Sequence, residues 1–381
     1  MKLHKYALAA AIACILAGCD SGGSASIEQQ LQQMTLREKV GQMFIIRPEA
    51  LDPELYYNSA EELKAISVQE VSDRMKETAT KCPMGGIILF ANNIQNPIQL
   101  TQFIGDLKAL PSNPLLCVDE EGGMVARLAN NPYFRVPKFP NMHELAAAGR
   151  TKDVQDAATT IGTYLTQYGF DINFAPVADV NTNPRNIVIG NRAFSNDPQA
   201  AAPMVKAYLK GLQKTGIVGC LKHFPGHGDT TADSHFGYAM SRKNWDEIKN
   251  CEMIPFKAGI NAGAQLIMTA HISLPNVTGS NTPSTLSSMI LQDKLRGELG
   301  FDGVIVTDAM EMGAIIRQYP VDDACIAAIK AGVDILLCVR EYPRVFDSVI
   351  AAVRRGEIPE SRIDESVRRI LKMRQSTQAA K

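Results

Sequence analysis

Between Lys222 and His235 the chain reads KHFPGHGDTTADSH, placing three of its six histidines, a lysine and two aspartates within fourteen residues. Imidazole, carboxylate and ammonium groups at that density suit proton transfer and the holding of hydroxyl-rich ligands. Asp233 and His235 stand two positions apart. In extended chain such side chains share a side, so the carboxylate can orient the ring and stabilise its cation. An isolated Asp-x-His more often caps a surface turn; Lys222, His223 and His227 alongside favour proton transfer. Pro225, Gly226 and Gly228 exclude a regular helix or central strand across the stretch, which predicts a loop fed by the apolar run 216–221.

His223 and His227 also have the spacing of two metal ligands on a helix. Pro225 and Gly226 lie between them and no third ligand follows at a standard spacing, so no metal is expected. The phosphate-loop pattern is absent too, and nothing calls for a cofactor.

Such groups need a scaffold. Apolar runs recur at 43–46, 86–90, 115–119, 172–177, 217–222, 265–269, 303–307 and 334–339. Their apolarity is continuous rather than alternating, the pattern of strands buried on both faces. Amphipathic helical stretches lie between most of them, at 97–110, 153–168, 198–215, 244–263, 285–299, 322–331 and 343–354, and a basic one closes the chain at 359–373. Thr35 and Glu38 form a capping box that opens an early helix. The alternation predicts an α/β fold, a single (β/α)8 TIM-type barrel over residues 27–381, with a doubly wound open sheet as the alternative. Residues 47–84 are long for one connection and are expected to carry an extra helix or two.

A barrel places its chemistry just after its strands. Asp119, Glu120, Glu121 and Arg127 follow the third run, Asp179 and Arg192 the fourth, the 222–235 stretch the fifth, His271 the sixth and Asp308 the seventh. Asp308 taken alone is as readily a helix cap as a reactive group. At a mouth that also carries Asp233 and His235 it becomes a candidate nucleophile. Asp119, Arg127, Arg192, Lys222 and His223 suit directional bonds to hydroxyl or acetamido oxygens, though any one of them alone reads as surface charge. Of the adjacent Glu120 and Glu121, one is expected to anchor its loop.

The whole chain narrows the class further. Its 39 basic and 40 acidic residues give a net charge of −1 with no basic run, so no nucleic-acid footprint is present. Lys2 and Lys5 precede a short apolar stretch, 6–17, which ends in Leu16-Ala17-Gly18-Cys19. This resembles a bacterial lipoprotein signal: residues 1–18 removed, Cys19 lipidated, and 19–26 a polar tether. The expectation is an exported lipoprotein of the cell envelope, on the periplasmic face of a membrane or at the cell surface, with a membrane partner through its anchor. Six further cysteines remain, and their mostly apolar settings predict free, buried thiols.

The motifs KHFPGHGDT (222–230), DSH (233–235) and VTDAM (306–310), with VDEEGG (118–123), NFAPVADV (173–180) and IGNRAF (189–194), resemble family 3 glycoside hydrolases. The resemblance is strongest to short bacterial β-N-acetylglucosaminidases and runs from about Met34 to Leu371. It implies a retaining exo-enzyme acting on N-acetylglucosamine-terminated glycans derived from peptidoglycan or chitin. Asp308 would form the covalent intermediate, His235 would be the acid/base, and Asp233 its partner. Asp119, Arg127, Arg192, Lys222 and His223 would contact the carbohydrate, with His227 a further candidate. Met124 departs from the arginine many relatives carry after EGG. A β-glucosidase, a phosphorylase of the same family and a non-catalytic wall-binding lipoprotein remain as alternatives.

Overall fold

The computed structural model describes residues 26–55, 66, 68–230 and 239–379. Eight strands, β1 (Phe44–Ile46), β2 (Gly86–Leu89), β3 (Leu115–Val118), β4 (Ile172–Asn173), β5 (Val218–Phe224), β6 (Leu266–Thr269), β7 (Val304–Ala309) and β8 (Ile335–Leu337), form a closed barrel. Each pairs in parallel with its sequence neighbours, and β8 returns to β1 with Phe44 opposite Leu336. Every strand falls on one of the eight apolar runs, and nearly all their residues are buried, as strands lined inside and covered by helices outside require. The fold is a (β/α)8 barrel.

Local departures have local causes. The fourth run pairs only over Ile172–Asn173, because Pro176 has no N–H to continue the ladder; beyond it Val177 forms a single bridge to Lys222. The fifth strand runs past the expected boundary, with Phe224 opposite Thr269 of β6. Lys222 and His223 are therefore strand residues, and the predicted loop begins only at Pro225. The stretch 244–263 is two helices, Trp245–Lys249 and Met253–Asn261. Pro255 cannot donate back to the preceding turn but is tolerated in a first turn, so the second helix restarts just ahead of it. The expected helix 285–299 begins at Met289 and is wound as a π-helix to Glu298. Within 47–84 the described residues include two short 3-10 turns, Pro48–Leu51 and Pro53–Leu55, and the helix Asp73–Lys81. Thr35 and Glu38 make the expected capping box.

The N-terminal ends of the strands form a floor, which the last helix, Glu360–Ala379, crosses. Arg374 donates to the carbonyls of Gly85 and Asn113, Ser376 to Gln265, and Ser366 to Asp334, all at strand entries. Of the six cysteines after Cys19, all are free; five are buried and Cys251 is half-buried.

Candidate active site

The opposite end, where the strands finish, is the mouth. Lys222 near the end of β5 reaches Asp119, just past β3, at 2.9 Å and Glu121 at 2.6 Å. Arg192 grips the same Glu121 with two parallel bonds of 2.9 and 2.8 Å and is itself held by the Val188 carbonyl. Two anions and two cations thus alternate along one buried chain. Burial alone would raise the Glu121 and Asp119 carboxyls, but the facing cations outweigh it, and both lie below the ordinary carboxylate range. Burial would lower Lys222, and Asp119 and Glu121 reverse that, so the ammonium is held above its usual value. The network stays ionised at neutral pH.

Arg127 is only loosely attached to it. Its nearest carboxylate contact is Asp119 at 3.5 Å, and its buried Nε has no partner among the described residues. Its backbone, by contrast, is fixed. Glu120 accepts the N–H groups of Arg127, Leu128 and Ala129 and the Tyr164 hydroxyl. Glu120 is thus the loop anchor, and Glu121 the residue that sets the charges of the site.

A second cluster centres on Asp179, which is buried beyond β4. It accepts His223 Nδ1–H at 2.7 Å, the His223 backbone N–H and the His227 backbone N–H. The carboxylate thereby fixes which ring nitrogen of His223 carries the proton. Burial raises Asp179, and the two histidines more than offset this, leaving it below the usual range. His227 pairs Nδ1 with Thr230 Oγ1 at 2.9 Å. Burial and the neighbouring His223 pull its pKa down, against Asp179 and Asp308. Gly228 is required here, since a Cβ would lie 1.9 Å from the Val180 carbonyl oxygen.

Asp308 occupies the last turn of strand β7 and is half-buried. Its Oδ1 accepts the Ala309 N–H at 2.8 Å. It caps no helix: the next one, Gly313–Ile316, is preceded by Met312 and has no side-chain cap. The strand end is braced on both sides. Thr307 Oγ1 accepts the Leu337 N–H, and His271 links the Ala309 carbonyl to Thr285. His271 stands just past β6 as expected, but it is fully buried and acts as a brace.

The structure thus gathers Asp119, Arg127, Arg192 and Lys222 in one network, His223 and His227 in a second, and places Asp308 at a strand end of the same mouth. Asp233, His235 and Cys19 lie outside the described residues. On either side of the segment holding the Asp-x-His pair, Asp229 accepts the Ser241 hydroxyl at 2.6 Å. Sequence reasoning named Glu121 and Asp179 without their roles, and it missed Tyr164, Tyr208 and Asn173. Tyr208 bonds the carbonyls of Glu120 and Glu121, and Asn173 brackets Glu120 through its backbone N–H and C=O. The polar Asn173 inside an apolar run was the one signal available. It also missed Arg47, which follows β1 and pairs with Glu49 and Glu311, each at 3.3 Å.

A profile of the glycosyl hydrolase family 3 N-terminal domain matches residues 35–373. A β-hexosaminidase of Mycobacterium tuberculosis is 33% identical over 326 residues, covering 82% of this chain and 81% of its own. β-Hexosaminidase A of Pseudoalteromonas piscicida is 33% identical over 329 residues, or 79% of this chain, which spans 54% of that longer protein. A solved family 3 β-N-acetylglucosaminidase from Paenibacillus superposes with a TM-score of 0.82 at 35% identity, over 91% of this chain and 63% of that one.

Proposed function

The chain belongs to glycosyl hydrolase family 3, and we propose that it is a retaining exo-β-N-acetylglucosaminidase acting on peptidoglycan- or chitin-derived glycans. Asp308 attacks the anomeric carbon as the glycosidic bond breaks, and His235, oriented by Asp233, protonates the departing oxygen. In the second half His235 takes a proton from water, whose oxygen displaces Asp308 from the sugar.

The observation that carries this reading is the placement of Asp308. It is a carboxylate at the end of a barrel strand, with no capping role, on the same mouth as an ionised Lys222–Asp119–Glu121–Arg192 chain. Those groups supply donors and acceptors suited to sugar hydroxyls, and Arg127, held only by a long contact to Asp119, adds a part-exposed guanidinium. The names carried by the matched relatives support the acetamido sugar as substrate. Export and attachment through a lipid on Cys19 complete the proposal, resting on the Leu16–Cys19 pattern.

The direct test compares release of para-nitrophenol from its β-N-acetylglucosaminide and its β-glucoside, using protein lacking residues 1–19. Strong preference for the acetamido sugar is expected. Activity on the glucoside alone would overturn the substrate assignment, and inactivity on both would favour a binding protein.

A further inference from the structure

The described chain starts at one particular end of the barrel. Its first helix, Ile27–Gln33, opens at Ser26 with a capping box and packs against the last helix, where Glu28 meets Arg368 at 3.1 Å. That last helix is the one laid across the floor, bonded to Gly85, Asn113, Gln265 and Asp334 at the strand entries. Residue 26 is therefore rooted at the floor, while Asp119, Lys222 and Asp308 sit at the opposite end.

Six residues lie between Cys19 and Ser26, a run of seven Cα-to-Cα steps. Fully extended, they span at most about 25 Å. Bringing the mouth to a bilayer would lift the root by the depth of the barrel. The seven-residue strand β5 is about 23 Å long, which at the usual tilt of about 36° rises about 19 Å along the barrel axis, and the helix beneath it adds about 10 Å. The sum, about 29 Å, exceeds the reach of the tether. We infer that the protein stands on its floor, with its mouth turned away from the bilayer that holds Cys19. Its substrates are then glycans free in the envelope or in the wall, and not glycans still carried on a membrane lipid.

The faces agree with this orientation. On the last helix Ile363, Ser366, Val367 and Ile370 are buried against the barrel, while Glu365 is exposed and faces outward. At the mouth, Ile187 is 87% exposed on the loop after β4, next to Asn186, which donates to the His227 carbonyl. These two positions report the two ends.

The inference rests on the lipid-anchor reading, so the experiment scores the two separately. Full-length lipidated protein, with Cys251→Ser removing the half-buried thiol, carries either Glu365→Cys or Ile187→Cys labelled with a donor dye. It is reconstituted into phosphatidylcholine vesicles bearing a headgroup acceptor dye. The labelled protein should float with the vesicles, a Cys19→Ser form should not, and energy transfer should be several-fold stronger from position 365 than from 187. Protein that fails to float overturns the anchor and the orientation with it. Protein that floats with equal or reversed transfer leaves the anchor standing and overturns the orientation alone.

Discussion

Asp334 and Asp119 are both aspartates at barrel-strand ends beside cationic side chains, yet they have opposite capacities. Asp334, at the floor, is fully buried and accepts from Arg296 (2.6 Å), Ser366 (2.7 Å) and the Ile305 N–H (2.9 Å), with Arg369 and Arg362 at 3.3 and 3.4 Å. Its oxygens are fully subscribed, and they tie β7, β8 and two helices together. Asp119, at the mouth, has one short contact, from Lys222, and one long one, from Arg127, with its side chain 16% exposed. The floor carboxylate has no lone pair left for a ligand. The mouth carboxylate has one, and it faces solvent. What distinguishes a binding carboxylate from a structural one here is unspent hydrogen-bonding capacity, not charge or neighbours.

The largest effect should come from the mouth. Asp308→Ala should lower turnover on the order of 10³-fold or more, with a melting temperature within a few degrees of the parent. Activity near the parent level would remove Asp308 from the mechanism. At the floor, Asp334→Ala leaves three arginines around an empty site and should destabilise by about 3–5 kcal/mol in urea unfolding. Turnover per folded molecule should be unchanged; a fall in kcat would mean that the two ends are coupled.

Asp119→Asn should cut kcat/KM by roughly 10- to 100-fold with little loss of stability, since a charged acceptor to a hydroxyl is worth about 1.5–3 kcal/mol. The reverse pattern would make Asp119 structural. Glu120 sharpens the contrast, because it lies at the mouth but is saturated like Asp334. Glu120→Gln should therefore destabilise by about 1–3 kcal/mol and raise KM as the Arg127 loop loosens, leaving kcat nearly intact.

The smallest effect is the pH dependence of stability. Asp119, Glu121 and Asp179 have folded pKa values below their ordinary ones. Depressed carboxylates stabilise the fold above their unfolded values, about 4, and that stability disappears as pH falls through the folded values. Melting temperature should thus be insensitive to these groups from pH 5 to 8 and drop below pH 4. Glu121→Gln should flatten part of that acid slope, and an unchanged slope would assign it to other carboxyls.

Much of this arrangement was legible in the sequence because barrels write it locally. Continuous apolar runs mark strands buried on both faces, and the residue after each run is at the mouth. That logic located Asp119, Lys222 and Asp308. It failed where pairing across the barrel decided the outcome. Turn chemistry at Pro225 predicted a loop from Lys222, but Thr269 on the neighbouring strand holds Phe224 in register. Which of Glu120 and Glu121 anchors and which sets the charges depends on Tyr164, Arg192 and Lys222, between 44 and 101 positions away. No local pattern encodes such partners.

The most direct measurement is to trap the reaction midway with a fluorinated N-acetylglucosaminyl donor that forms the intermediate faster than water clears it, then map the sugar by peptide mass spectrometry. The account predicts a sugar ester on Asp308, released with retained configuration. A label on another carboxylate, or turnover with inverted product and no label, would contradict it.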